Sequence, residues 1–214
     1  METRKRLTEF LDPEEVKRLL EQPDRRTFKG KRDYAVLRLL LETGLRKSEV
    51  RSLRYSNIQN HNGGKTLVVK SLKKRKVRGK DGYKEKNLFR EIPLNDSLVF
   101  AVDRYRDVEQ LGPDDYIFRT IKTGQYQSRP LSRKAIDLLC REYLLKAGIK
   151  KRITPHSFRR TFATTVLRNG SDLATVKELL GHEHLTSTQV YLLTDFKQKR
   201  AAIETVNYGG AMGG

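Results

Sequence analysis

The chain has 214 residues, which is enough for one domain with a sizeable hydrophobic core or for two small domains. Lysine and arginine number 45 against 26 acidic residues, and the net charge of +19 favours a polyanionic partner, with nucleic acid ahead of an anionic membrane surface. The single cysteine excludes an intrachain disulfide framework and a cysteine-rich zinc site, and no apolar run reaches the roughly 18 residues of a membrane span.

The two ends of the chain carry little structural information. The start, METRKRL, lacks the apolar segment of a secretory signal, so we expect an intracellular, cytoplasmic protein. The Gly-rich end, residues 209–214, is the one low-complexity segment, and we expect it to be disordered. Between the ends, hydrophobic residues recur in periodic blocks, which predicts a folded chain.

Helical signals dominate the first quarter of the chain. Asp12 is a helix N-cap followed by a proline at the first helical position, which predicts a helix through Leu20. Apolar residues at helical spacing precede Gly44, a natural C-cap, and a short helix is predicted over residues 48–53. Arg46 is therefore expected in a tight corner between two helices.

Two strands are predicted in the middle of the chain, over residues 66–69 and 88–92, and they form the only sheet that the sequence predicts. Lysine and arginine dominate the intervening residues 70–86. A basic run of this kind is usually a solvated, mobile loop, so a function for it needs separate evidence.

Helices return after the second strand. Periodicity and end signals predict helices over residues 97–109, 132–146, 154–169 and 171–180. Cys140 lies on the apolar face of the second of these helices, and we expect it in the core. The fold class is therefore α+β, mostly α, with a small antiparallel sheet or β-hairpin.

Basic and nucleophilic side chains recur at defined places among these elements. His156 and Arg159 are three residues apart on one helix, so both side chains lie on the same face and could meet one phosphate group. Such a pair alone is weak evidence, because exposed helix faces carry similar pairs by chance. Arg46 in its corner, His182 after a helix-ending glycine and Tyr191 extend the pair to an ordered set.

Three motifs around these residues carry a family resemblance: TGLRKSEV at residues 43–50, TPHSFRRTFA at 154–163 and LGHEHLTSTQVY at 180–191. In order and spacing they resemble the three signature boxes of the tyrosine recombinases, the phage integrase family, and the similarity runs over residues 7–195. The resemblance implies a helical catalytic domain around a small sheet. It also implies an enzyme that cuts and rejoins DNA through a phosphotyrosine, with no metal or cofactor.

The resemblance implies a role for each residue of the set. Arg46 and Arg159 match the arginines that clamp the phosphate, and Glu49 matches an acidic residue that supports the first of them. Tyr191 matches the nucleophile. The remaining matches are the histidine before the second arginine, His156, and the later histidine, His182.

The family also carries a catalytic lysine in a β-hairpin, and here the basic run occupies that place. Alignment of the first strand selects Lys73, with Lys70 and Lys74 as alternatives. We expect further DNA contacts from this run and from the second motif, at Lys70, Lys74, Arg75, Lys76 and Arg160.

The reaction that the resemblance implies requires residues of these types. A tyrosine with an ordinary pKa of about 10 is a weak nucleophile at neutral pH unless a base accepts its proton, and His156 is the candidate base. Two guanidinium groups can neutralise the charge of the pentacoordinate transition state without a metal ion. The departing 5′ oxygen needs an acid, for which Lys73 is the candidate.

The resemblance also implies a domain organisation and partners. Residues 1–195 would form the catalytic domain, and the tail, residues 196–214, is a candidate for exchange between protomers. The expected partners are double-stranded DNA and further copies of the chain, as a homotetramer on two duplexes, with a monomer in free solution and a nucleoid location in a prokaryote. We expect the family's N-terminal core-binding domain to be absent, because Met1 lies almost at the start of the catalytic domain. Either the chain is truncated or one domain suffices.

Other functions compete with this one. A type IB topoisomerase uses a similar residue set to relax DNA without a partner duplex, although the LGH motif argues against it. The helices on either side of Asn169 and Gly170 also fit a helix-turn-helix, which would make the chain a non-catalytic DNA binder. A zinc site at His156, His182 and His184 is disfavoured, because the last two are too close in sequence to share one helix face.

Overall fold

The computed structural model describes residues 9–61, 63–79, 82–109, 112–122 and 125–181. Its helices are α1 (Pro13–Leu20), α2 (Phe28–Thr43), α3 (Lys47–Ser52), α4 (Asp96–Glu109), α5 (Arg133–Lys146), α6 (Pro155–Arg168) and α7 (Leu173–Leu180). Its strands are β1 (Ile58–His61), β2 (Gly64–Gly79), β3 (Gly82–Leu94), β4 (Arg119–Lys122) and β5 (Gln125–Pro130). Within the described ranges, none of the helices has the length and apolar character needed to cross a bilayer.

Local capping signals determine where the helices begin and end. The Asp12 carboxylate accepts a hydrogen bond from the Glu15 amide, and the Glu15 carboxylate accepts one from the Asp12 amide, both at 2.9 Å. The same reciprocal arrangement opens α6. Gly44 and Gly181, in the left-handed conformation, end α2 and α7. The mostly helical prediction is confirmed, with helix ends within two residues of those expected.

Helix α2 lies at the centre of the core. Every residue over 35–41 is buried, because α2 packs against both α4 and α6. A helix enclosed in this way needs apolar residues around most of its circumference, and the one buried charge over 35–41, Arg38, is paired with Glu42. Cys140 on α5 is also in the core, as predicted, with 2% of its surface exposed, and burial raises the pKa of its thiol to about 12.

A three-stranded antiparallel sheet, in the order β1-β2-β3, packs on the helical core. Leu67 of β2 lies opposite Ile58 of β1 and Ile92 of β3. Leu67, Ile92, Val69 and Leu94 are buried. The expectation of a single two-stranded sheet is wrong: β1 is a third strand, and β4 and β5 form a separate antiparallel pair. These extra strands are short and polar, so they lack the alternating apolar pattern that identifies a half-buried strand.

The basic run between the predicted strands is not the solvated loop that its composition predicted. The two strands continue through it as one long hairpin until Gly79 pairs with Gly82. Lysine and glycine are depleted in strands, so composition concealed the pairing. The register shifts between Lys70 and Lys74, and the backbone of Lys73 lies within this irregularity. Such irregularities re-aim side chains and are common beside active sites.

Candidate active site

The corner between α2 and α3 presents Arg46 to solvent while its base is held in place. Arg46 is the N-cap of α3, and its amide donates to the Glu49 carboxylate at 2.7 Å. Its guanidinium donates to the other carboxylate oxygen at 3.2 Å, and 41% of the side chain is exposed. Glu49 itself is buried, which agrees with its expected supporting role and leaves Arg46 as the accessible cation of the pair.

A second arginine binds the same carboxylate, and sequence analysis missed it. Arg90 on β3 donates from both terminal nitrogens to the two oxygens of Glu49, each at 2.9 Å, and from Nε to the Leu179 carbonyl at 3.0 Å. A signal was present in the strand pattern: Arg90 alternates with Ile92 and Leu94, which are buried, so period two places it on the core-facing side. An arginine on the core-facing side of a strand needs a buried partner for its charge.

Arg159 is buried between the helix ends that frame the site. Its side chain on α6 is 1% exposed, and its terminal nitrogens donate to the Gly44 carbonyl at 2.6 Å and the Leu180 carbonyl at 2.5 Å. These bonds tie the α2–α3 corner to the end of α7. The second arginine of the predicted pair therefore lies beside the first, within reach of the same corner.

His156 opens α6 one turn before Arg159. Its imidazole keeps contact with solvent, yet partial burial lowers the pKa of His156, and the positive charges of Arg159, Arg46 and Arg160 lower it further. The ring is consequently neutral at pH 7, and one of its nitrogens can accept a proton or a hydrogen bond. The structure thus brings together Arg46, Arg159, His156 and Glu49.

The remaining predicted residues lie on β2 or outside the described residues. Lys70 is exposed on β2, and Lys73, Lys74, Arg75 and Lys76 follow on the same strand, with side chains outside the described residues. His182, Tyr191 and the tail, residues 196–214, also lie outside the described residues.

Arg160 does not lie on an open surface. It is 3% exposed, and its guanidinium lies over the ring of Phe10, 5.6 Å from the ring centre. Arg168 lies over the same ring at 5.4 Å. This packing leaves Arg160 little exposed surface, and its contact with DNA stays a prediction. Its positive charge contributes to the lowered pKa of His156.

The described part of the chain holds no cluster of three or more histidine, cysteine, aspartate or glutamate side chains that could bind a metal ion. The zinc alternative would need His182 and His184, which lie beyond that part. What the site does hold is a set of fixed cations around a neutral imidazole, an arrangement suited to a phosphodiester.

Comparison with known protein families identifies the family of the chain. A model described as the phage integrase family matches residues 9–198 of the chain. The chain belongs to the phage integrase family. The match includes the α2–α3 corner, the hairpin, α6 and α7, and it extends over His182 and Tyr191.

Curated relatives of this integrase-family chain are tyrosine recombinases. XerD of Staphylococcus haemolyticus (strain JCSC1435) is 36% identical over 190 residues, which cover 87% of this chain and 58% of the relative. XerD of Staphylococcus aureus (strain N315) has the same identity and coverage. The chain therefore spans 58% of the length of these relatives.

Solved structures of the same family share its fold. The XerA recombinase superposes with a TM-score of 0.69 at 28% identity, covering 93% of this chain and 65% of XerA. The catalytic domain of bacteriophage HP1 integrase superposes with a TM-score of 0.57 at 22% identity, covering 92% of this chain and 94% of that domain. The fold of this integrase-family chain is therefore that of a tyrosine recombinase catalytic domain.

Proposed function

We propose that this chain is the catalytic domain of a site-specific DNA recombinase, which cleaves and rejoins DNA through a 3′-phosphotyrosine on Tyr191 without metal or ATP. The observation that carries the proposal is the pairing of Arg46 and Arg159 at one corner, with His156 one helical turn from Arg159. Membership of the phage integrase family, through a match that extends over Tyr191, supports it. If so, the protein acts where the cell holds its DNA, in the cytoplasm of a prokaryote.

In the proposed reaction the Tyr191 oxygen attacks the scissile phosphorus, a new phosphotyrosyl ester forms, and the bond to the 5′ oxygen breaks. Neutral His156 accepts the tyrosine proton, and Lys73 protonates the departing 5′ oxygen. The guanidinium groups of Arg46 and Arg159 neutralise the charge on the non-bridging oxygens, and His182 donates to the same group. The phosphodiester energy is retained in the phosphotyrosine, so a 5′-hydroxyl can reverse the step.

Duplex DNA is the proposed substrate. The basic hairpin extends from the sheet beside the site. We propose that Lys70, Lys74, Arg75 and Lys76 on its first strand contact the backbone of the duplex. Structures with a similar fold include XerH bound to difH DNA and the Tn1549 transposon integrase bound to transposon DNA. A strand exchange joins two duplexes, so we extend the proposal to a homotetramer in which residues 196–214 pass between protomers.

Adduct formation tests this proposal directly. A duplex is selected from a random-sequence library by binding to the protein and is then prepared with a nick at successive positions. A nick beside the cleaved phosphate lets the short 5′ fragment diffuse away, which traps the covalent intermediate. We expect a slow-migrating protein–DNA adduct on a denaturing gel with the wild type and none with Tyr191→Phe. An adduct from both proteins would refute Tyr191 as the nucleophile.

The two competing functions predict other results. A topoisomerase-like enzyme would relax supercoiled plasmids of unrelated sequence, whereas a recombinase requires its selected site. A non-catalytic helix-turn-helix binder would give no adduct from any duplex.

A further inference from the structure

Arg90 contacts three parts of the site at once, although no signature motif includes it. We infer that Arg90 is a positioning residue for strand cleavage: it neutralises Glu49, so that the charge of Arg46 remains available to the scissile phosphate. The inference rests on the proposed function and adds one residue to its mechanism.

The Glu49 side chain needs a cation beside it, because it is 0% exposed. Arg90 is the buried partner, since its own side chain is 8% exposed and its two terminal nitrogens bind different carboxylate oxygens at 2.9 Å. Arg46 binds the same carboxylate through one longer bond of 3.2 Å, and 41% of its side chain is exposed. Glu49 is therefore paired inward with Arg90, while Arg46 faces solvent.

This division of roles decides where the positive charge lies. Glu49 and Arg90 together are neutral, so the three side chains keep a net positive charge, which the exposed Arg46 presents to a phosphate at the corner. If Arg90 lost its charge, Arg46 would be the nearest cation to a buried carboxylate and would be drawn onto it. Burial acts to raise the pKa of Glu49, and the hydrogen bonds and charge of Arg90, followed by those of Arg46, outweigh it and lower that pKa.

The third contact of Arg90 fixes the end of α7. Its Nε donates to the Leu179 carbonyl at 3.0 Å. A Cβ atom on Gly181 would lie 3.0 Å from Cδ and 3.1 Å from Nη1 of Arg90, so the backbone passes closely over the guanidinium. His182 follows Gly181 directly in sequence. Arg90 thus holds the point from which the chain continues toward His182 and Tyr191.

The position of Arg90 in the sheet also brings it close to the basic hairpin. Arg90 lies opposite Val69 in the β2–β3 register, next to the pair formed by Lys70 and Phe89. It is therefore at the base of the basic hairpin, immediately before the register shift that contains Lys73. One guanidinium connects the hairpin base, the α2–α3 corner and the end of α7.

The test compares the rate constant of adduct formation on a saturating nicked duplex with the dissociation constant for that duplex. A first-order rate constant, unlike a yield, does not depend on the folded fraction of the sample. The variants are Arg90→Gln and Arg90→Lys. The matched control is Arg38→Gln, which breaks another largely buried arginine–glutamate pair, with Glu42 on α2, outside the site.

We expect Arg90→Gln to slow adduct formation roughly 10- to 100-fold and to change the dissociation constant by less than about threefold. A neutral methylphosphonate at the scissile position removes the charge that Arg46 meets, so on that substrate the slowing should shrink to about threefold or less. Adding Glu49→Gln to Arg90→Gln removes the carboxylate that captures Arg46. This double variant should therefore cleave faster than Arg90→Gln alone.

Three results would overturn the inference: a rate constant for Arg90→Gln within about twofold of the wild type, equal slowing by Arg38→Gln, or equal slowing on phosphate and methylphosphonate. If Arg90→Gln fails to fold, Arg90→Lys decides, because it keeps a cation but cannot bridge both carboxylate oxygens. Although lysine reaches only one oxygen, its charge still neutralises Glu49, so Arg90→Lys should cleave the phosphate substrate within about threefold of the wild-type rate, and a slowing of about tenfold or more would overturn the inference. A wild type that forms no adduct refutes the proposed function first, and the inference with it.

Discussion

On a single turn of α6, His156 and Arg159 meet opposite surroundings. His156 reaches solvent among positive charges, whereas Arg159 is enclosed and donates to the carbonyls of Gly44 and Leu180. A guanidinium bound to two carbonyls holds two backbone segments together. Removal of Arg159 would therefore disturb the corner in addition to any contact with phosphate, so the effects of its substitution combine both roles.

The lowered pKa of His156 predicts the pH dependence of cleavage. Because its pKa lies below the ordinary value of 6.5, the neutral form persists to lower pH, and the rate should fall only as pH drops through that lowered value. Single-turnover adduct formation measured between pH 5 and 8 checks this. His156→Gln should abolish the acid limb and reduce the plateau by about 10²- to 10⁴-fold. An acid limb centred above pH 6.5 in the wild type would contradict the prediction.

The lowered pKa of Glu49 predicts that the stability of the protein depends on pH. Its pKa is lowered in the folded state, so its contribution to the free energy of unfolding is complete above the ordinary value of 4.5 and is lost as pH falls through the folded pKa. Glu49→Gln should cost about 3 to 5 kcal/mol at pH 7, because Arg90 is left buried without a counter-charge. In urea unfolding at pH 7 and pH 3, the difference from wild type should narrow at the lower pH. A difference independent of pH would contradict this.

Among the elements, the α2–α3 corner is closely packed against α6 and the end of α7. A Cβ atom on Gly44 would lie 2.5 Å from Cδ1 of Phe162 and 2.8 Å from Cδ2 of Leu180. The Gly44 carbonyl also accepts from Arg159 at 2.6 Å. Two helices, α6 and α7, therefore determine where the chain turns before Arg46.

Gly44→Ala should consequently destabilise the protein more than the same change at Gly148. Gly148 is the matched control, because its φ of +66° resembles the +61° of Gly44 but nothing lies within 4 Å of its missing Cβ. We expect Gly148→Ala to cost about 1 to 2 kcal/mol from its backbone alone, and Gly44→Ala to cost about 1 to 3 kcal/mol more from overpacking. Urea unfolding of both variants measures this difference. Equal losses would show that the corner relaxes without strain.

At the scale of the whole molecule, the net charge of +19 and the long basic hairpin favour a polyanion, and the buried part of the charge also holds the fold together. Arg38, Arg90, Arg159 and Arg160 are enclosed in pairs, carbonyl contacts or aromatic packing. Net charge alone is thus a poor measure of how many cations meet DNA.

The salt dependence of DNA affinity measures how many phosphates the hairpin cations neutralise. Replacing Lys74, Arg75 and Lys76 by glutamine should flatten the dependence of log affinity on log salt concentration by about 0.9 for each phosphate that the hairpin no longer neutralises. Fluorescence anisotropy with a labelled duplex, at several salt concentrations, measures the slope. A control variant that removes the same charge from Lys17, Arg18 and Lys29, on α1 and the start of α2, should keep the wild-type slope. Identical slopes for both variants would contradict a hairpin contact.

Helix ends and the motif residues could be predicted from the sequence because their signals are local. Asp12 with Pro13, and Gly44 and Gly181 as helix ends, act within a few residues of themselves, and the structure places the helix boundaries accordingly. The approach of Arg46 to Arg159 was implied by the family resemblance. The strands β1, β4 and β5 were missed because a polar strand is recognised only through its partner.

The amino-acid sequence by itself determined the mostly helical class, the helix boundaries and the set of candidate catalytic residues. Only the tertiary structure decided that Arg90 binds Glu49, 41 residues away, that Arg159 binds Gly44, 115 residues away, and that Arg160 is enclosed. The physical reason is that a buried charge selects its partner by distance in space, and burial depends on how all the elements pack. Short-range sequence signals contain no record of that packing.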